Sequence, residues 1–190
     1  MPDMKSPVAL FSYNRFSTLK KTLECLKRNY LADQTDIFIF SDGPKDLEDY
    51  SSILEIRNYI KKLEGFNKII LIEREINLGL SKNIISGIDH VLEKNNSVIV
   101  LEDDILTSKY FLKFMNDALT TYETFDNVCQ VSGYSYLEKY SKKYELDETY
   151  FIKGGDCMAW GTWKTSWDLF TEDAQNLYDQ NFINRFSLII

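Results

Sequence analysis

Residues 98–111 read "VIVLEDDILTSKYF". Four aliphatic residues run directly into three consecutive acids, Glu102-Asp103-Asp104. A short unbroken apolar run of this kind reads as a strand buried on both faces. Carboxylates repel one another and seek water, so their position marks the point where the strand leaves the core. The segment that follows carries helical spacing to Phe125, which predicts a helix over 107–125 capped by Thr107 or Ser108. Either the acids form a polar turn into that helix, or they form a site for a divalent cation.

The rest of the chain repeats the same grammar. "PVALFSY" (7–13), "DIFIFSD" (36–42) and "KIILIER" (68–74) are further apolar runs with polar ends. Between them lie helical patterns. Ser17 opens one with Leu19, Leu23, Leu26 and Tyr30 on one face. A second carries Ile53, Ile56, Ile60 and Leu63 and stops near Gly65. Ser81 opens a third, with Ile84, Ile85, Ile88 and Leu92 on one face and His90 pointing to solvent. Four successive strand–helix units predict an α/β, Rossmann-like, mainly parallel sheet with helices on both faces. Later segments predict strands at 127–134 and 149–154 and a helix over 160–170. The charged, aromatic stretch "SYLEKYSKKYELDE" between those strands reads as a flap or hairpin.

Composition narrows the function. At 190 residues the chain suits one domain with a full core. A net charge of −7 argues against a nucleic-acid partner. Lys20, Lys21, Lys27 and Arg28 give one helix a basic outer face, solvated or suited to a peripheral membrane contact. Cys25, Cys129 and Cys157 lack metal spacing and read as free thiols of a cytoplasmic protein. With His90 the single histidine, a Ser-His-Asp mechanism has no support.

Parallel sheets bind ligands beyond the carboxyl ends of their strands. Those ends here are Tyr13-Asn14-Arg15, Ser41-Asp42-Gly43, Glu73-Arg74 and Glu102-Asp103-Asp104. All carry polar or ionisable groups, and capping alone would not require an acid after the second strand as well, nor three in a row after the fourth. Mg²⁺ and Mn²⁺ take oxygen ligands, often one or two carboxylates plus substrate phosphates. If the strand persists through the triplet, Glu102 and Asp104 share one face and Asp103 the other. One or two of the acids would hold the metal while another takes a sugar or ribose hydroxyl. No Gly-rich phosphate loop is present to supply countercharge instead.

Five stretches together resemble the GT-A fold nucleotide-sugar glycosyltransferases. They are "VALFSYNRFSTLKKTLECL", "IFIFSDGPK", "REINLGLSKNIISGID", "VIVLEDDI" and "GGDCMAWGTWKTSWD", spanning about residues 7–170. The likeness is greatest to bacterial surface-polysaccharide members, with some to N-acetylglucosaminyltransferase I. It implies a single GT-A domain, with a nucleotide-sugar part over about 7–105 and an acceptor-side part over about 106–190. By the resemblance Ser12, Tyr13, Asn14 and Arg15 line the base and ribose pocket, and Asp42 approaches the base or ribose. Arg74, Asn77 and Gly79 flank the donor, and Lys82 and Asn83 lie near its sugar. Asp104 is the principal metal ligand, with Glu102 beside it, and Asp103 sits near ribose and sugar hydroxyls. Trp160 and Trp163, with Trp167, form an aromatic wall for the acceptor, against the alternative of core packing. The reaction implied is inverting transfer from a UDP-sugar, assisted by Mn²⁺ or Mg²⁺, to a glycan or lipid-linked acceptor. It would serve surface polysaccharide assembly at the inner face of the membrane, with Asp156 as base.

The chain departs from the family in stopping at "NFINRFSLII" (181–190), which reads as a C-terminal truncation whose apolar residues favour self-association. A donor-binding module without turnover is the rival reading. A nucleotidyltransferase would need a Gly-rich, basic loop after the first strand, which "SYNRFSTL" is not.

Overall fold

The computed structural model describes residues 5–135, 147, 149–173 and, as backbone, 187–189. Most of the expected flap at 135–148 and the side chains of the apolar tail lie outside these residues. Strands β1 (Val8–Ser12), β2 (Asp36–Ser41), β3 (Lys68–Glu73) and β4 (Ser97–Glu102) pair in parallel in the order β3-β2-β1-β4. The sheet continues with β7 (Trp160–Trp163), β5 (Val128–Ser132), β8 (Ser187–Ile189) and β6 (Phe151–Ile152), in that spatial order. β7 runs antiparallel to both β4 and β5. The expected α/β sheet is thus present, parallel in its first half and mixed in its second.

Period-two alternation sorts the central strands. Val8, Leu10, Ile37, Ile39, Ile99 and Leu101 face helices α1 (Phe16–Lys27), α2 (Asp49–Ile60) and α4 (Phe111–Tyr122). Ala9, Phe11, Phe40, Val98 and Val100 face α3 (Leu80–Leu92). Leu19, Leu23 and Leu26 are fully buried as their spacing predicts, whereas Tyr30, past the end of α1, is exposed. His90 is exposed on α3 and lays its ring edge-on to Phe38 and Phe40. Among the described residues no helix is long and apolar enough to cross a membrane.

Three local expectations are corrected. α1 begins at Phe16 without a side-chain cap from Ser17. α4 begins at Phe111, not at 107. Its cap comes from another element: buried Asn29 accepts the Leu112 N–H at 3.0 Å and donates to the Thr107 hydroxyl at 3.0 Å. Thr107 is therefore engaged by a residue 78 positions away, and a turn at residues 109–110 leads into the helix.

The largest correction concerns the Trp-rich segment. Trp160–Trp163 is a strand, paired Val100 with Trp160 through Ser97 with Trp163, and only Lys164–Trp167 (α5) is helical. Three residues apart on a strand, Trp160 and Trp163 lie on opposite faces of the sheet. Trp163 is buried under α4 and donates its indole N–H to the Leu119 carbonyl at 2.9 Å. Trp160 packs on the α3 side near Trp167, whose indole N–H reaches Asp89 at 2.7 Å. The two do not form a shared aromatic wall, and core packing accounts for Trp163. Trp163→Ala should therefore cost about 3–5 kcal/mol in urea unfolding. Unchanged stability would contradict the core assignment.

Candidate active site

The sheet reverses its winding at β1: β2 and β3 are added on one side, and β4 on the other. The crevice beyond the carboxyl ends at such a reversal is where open α/β sheets bind ligands. A cleft of about 350 Å³ opens there. From β1 come Phe11, Ser12, Tyr13, Asn14 and Arg15, and from β4 come Glu102 and Asp103. Asp42 and Lys45 enter from β2, and Asn77, Gly79, Leu80 and Asn83 from the start of α3.

A second layer of side chains fixes this rim. Asp42 is buried, and its carboxylate accepts the N–H groups of Gly43 and Leu78, each at 2.9 Å, and of Gly79 at 3.1 Å. The end of β2 is thereby tied to the loop before α3. A β-carbon on Gly43 would stand 2.3 Å from the Ile76 carbonyl carbon, so only glycine lets these two segments meet. Gly79 holds φ +77° and has nothing within 4 Å of where a β-carbon would stand. Asn77 donates to the Gly43 carbonyl at 3.0 Å.

Arg57 of α2 closes the rim from outside. Its guanidinium donates to the carbonyls of Ser41 and Asp42, both at 3.3 Å, and of Arg74 at 2.7 Å. Arg74 itself does not line the cleft. It lies over the Phe40 ring and donates to Asn83 at 3.3 Å and Ser86 at 3.0 Å. Lys82 is exposed and does not line the cleft; nor do Trp160, Trp163 and Asp104.

Asp49, which sequence reasoning passes over, organises the β1 end. It accepts hydrogen bonds from the Tyr13 hydroxyl, the Asn14 amide at 2.7 Å and the Lys45 N–H at 3.2 Å. These bonds, that from Tyr13 foremost, hold its carboxyl below the usual carboxylate range. Burial and then the Asp49 bond push the Tyr13 phenol up to about 12, so it remains a donor at any physiological pH. Its only sequence signal is an acid in the first turn of a helix.

The acidic triplet departs from simple alternation. β4 ends at Glu102, and the turn that follows buries Asp103 and exposes Asp104. The Thr22 hydroxyl pins the Asp103 carbonyl at 3.0 Å. Arg15 bridges the two aspartates, pairing with Asp103 and, at 2.9 Å, with Asp104. Burial raises the Glu102 carboxyl, and the charges of Asp104 and Asp103 raise it further. Burial also raises Asp103, against the pull of Arg15. Both shifts are first of all the effect of taking a carboxylate out of water, with the neighbouring acids adding to it. The donor set is all oxygen, which suits Mg²⁺ or Mn²⁺. Among the described residues no three potential ligands are grouped closely enough to hold an ion unaided. The residues thus fit a dication that draws part of its shell from substrate phosphates.

Ser12 is 4% exposed, and its hydroxyl has no hydrogen-bond partner among the described residues. Asp156 lies outside the cleft lining. Its carboxylate accepts the Met158 N–H at 2.8 Å through one oxygen and leaves the other buried and, among the described residues, unpartnered. The antiparallel register of Val100 with Trp160 carries the segment before Trp160 past the carboxyl end of β4, to the same sheet edge as the acids.

The model of Glycosyl transferase family 2 matches residues 8–188. No curated protein sequence gives a match. Among solved structures, S. aureus TarS 1-349 in complex with UDP superposes with TM-score 0.60 at 16% identity, over 97% of this chain and 57% of that one. A further crystal structure of S. aureus TarS 1-349 gives 0.55 at 16% identity, over 97% and 58%. The mannosyltransferase PcManGT from Pyrobaculum calidifontis, in complex with GDP-Man and Mn2+, gives 0.49 at 15% identity, over 73% and 37%, too low to establish a shared fold. This chain therefore spans less than two thirds of the length of the structures it matches.

The bonding of Asp42 makes a specific demand. Asp42→Asn keeps the shape but removes the charge and one acceptor from a set of three N–H donors. Stability in urea should fall by about 1–3 kcal/mol. Wild-type unfolding by this variant would mean that Asp42 does not hold the rim.

Proposed function

The chain belongs to Glycosyl transferase family 2, and on that premise we propose that it transfers a sugar from a UDP-sugar to a glycan or lipid-linked acceptor in surface polysaccharide assembly. The observation that carries the reading is the cleft at the β1/β4 reversal, with three clustered acids that share one arginine's charge at its β4 end and, among the described residues, an unpartnered buried hydroxyl, Ser12, at its β1 end. The matching fold that holds UDP supports the choice of nucleotide.

In this proposal the ring of Tyr13, held by Asp49, and the polar groups of Ser12 and Asn14 take the base and ribose. The start of α3 receives the diphosphate, since the first-turn N–H groups of a helix favour an anion, and Gly79 permits its close approach. Glu102, Asp103 and Asp104 would hold Mn²⁺ or Mg²⁺. When bound, the ion supplies electrostatic stabilisation of charge growing on the leaving diphosphate. Transfer with inversion forms the bond from acceptor oxygen to anomeric carbon as the bond to the diphosphate oxygen breaks. The acceptor's proton passes to a carboxylate, for which Asp156 is proposed, supported by its unpartnered oxygen and its sheet edge. Lys20, Lys21, Lys27 and Arg28, exposed on and just after α1, support a peripheral contact with an anionic membrane carrying the acceptor.

Calorimetric titration with UDP, in Mn²⁺ and then in EDTA, tests the donor site. Affinity should be higher in Mn²⁺ by about tenfold or more, since hard cations bridge carboxylates and phosphates. No UDP binding in either buffer overturns the reading, and equal affinity in both removes the metal from it. UDP release from a panel of UDP-sugars then separates transfer from binding without turnover.

A further inference from the structure

We infer that Arg15 is the chain's own counter-cation for the acidic cluster, and that it makes metal binding conditional on the nucleotide. The inference rests on the donor-site reading above.

Arg15 stands immediately before α1, at a helix N-terminus. That is an unfavourable place for a cation, because the helix dipole presents its positive end there. Asp103 and Asp104 hold it in place from across the cleft, one through each guanidinium nitrogen. Partial burial works against the charge, and the two carboxylates outweigh it, so the guanidinium is held more firmly protonated.

The two sides of the Arg15–Asp103 pair differ in mobility. Asp103 has a side chain only 3% exposed and is fixed by the Tyr13 N–H and the Thr22 hydroxyl. Arg15 is 50% exposed, with no other ion-pair partner among the described residues, and can swing on its own stem. A metal ion and the guanidinium both require carboxylate oxygens of Asp103 and Asp104. Without nucleotide, a metal must break the two ion pairs of Arg15, one to each aspartate, and leave Arg15 facing a helix N-terminus with no anion. A nucleoside diphosphate in the cleft offers Arg15 phosphate oxygens in the fork geometry it already uses for carboxylates. Its departure frees the aspartates at the moment the phosphates can complete the metal's shell. Metal and nucleotide then bind with positive coupling, and free metal alone is held off.

The test is Mn²⁺ binding, read from the electron paramagnetic resonance of the free ion, with and without UDP, in wild type and in Arg15→Met. In wild type UDP should tighten Mn²⁺ by roughly 5- to 150-fold, the usual range of coupling between sites. Arg15→Met should bind Mn²⁺ without UDP roughly tenfold more tightly than wild type, the scale of change when a group bonded to metal ligands is altered. UDP should then add little. Arg15→Lys, a point charge that cannot bridge both aspartates, should fall between. Nucleotide-free Mn²⁺ affinity unchanged or weaker in Arg15→Met, or coupling undiminished by it, overturns the inference while leaving UDP binding intact. Failure of wild type to bind UDP at all overturns the donor-site reading instead, and the coupling with it. Thermal melts of each variant verify that the half-exposed substitution leaves the fold in place.

Discussion

Strand β1 pairs with β2 on one side and β4 on the other, residue for residue from Val8 to Phe11. That single arrangement reverses the winding of the sheet and leaves a crevice where the helices diverge. It also sets Arg15 opposite Asp103 and Asp104 across nearly ninety residues of chain. The buried strand, the cleft and the charge pairing follow from one register.

Because the cleft lies where strands end, its walls are loops, and loops need anchoring. Three side chains anchor them from beneath and outside. Asp42 gathers backbone N–H groups, Arg57 gathers carbonyls, and Asp49 gathers the side chains of the first loop. Asp42 and Arg57 work as complementary halves: one supplies acceptors for the donors of the rim, the other donors for its acceptors. A rim so occupied has few backbone groups left over for alternative conformations. The acids are the exception, since two of the three carboxylates share one guanidinium and Glu102 stands beside them.

Where the sequence carried local, periodic information, the fold was legible. The four apolar runs, their polar ends and the spacing of Leu19, Leu23 and Leu26 or Ile53, Ile56 and Ile60 are visible without a structure. The Trp-rich segment misled because tryptophans three and four apart satisfy a helix, while the strand that forms there is dictated by its distant partner β4. The start of α4 was hidden for a related reason: its cap is Asn29, far away in sequence. Arg57 and Asp49 look like ordinary surface charges on a helix, and their bonds span fifteen to thirty-six residues. The position of Arg15 beside the cleft was readable, but its pairing with the acids depends on the β1/β4 register, which no local pattern records.

The insertion of β7 beside β4 bears on how the chain acquires this shape. Every residue lining the cleft lies between Phe11 and Asp103, within consecutive strand–helix units whose contacts close over short loops. Such wiring forms early, ahead of pairings that must close long loops. Until Trp160–Trp163 arrives, β4 is the edge of that nascent sheet, with the apolar run from Val98 to Leu101 beside an open ladder. During synthesis the ligand-binding half would thus be assembled while its border remained adhesive, a state prone to pairing with other chains. Sealing that border is a task of the WGTW strand that is separate from any ligand, and it falls to a segment made almost sixty residues later.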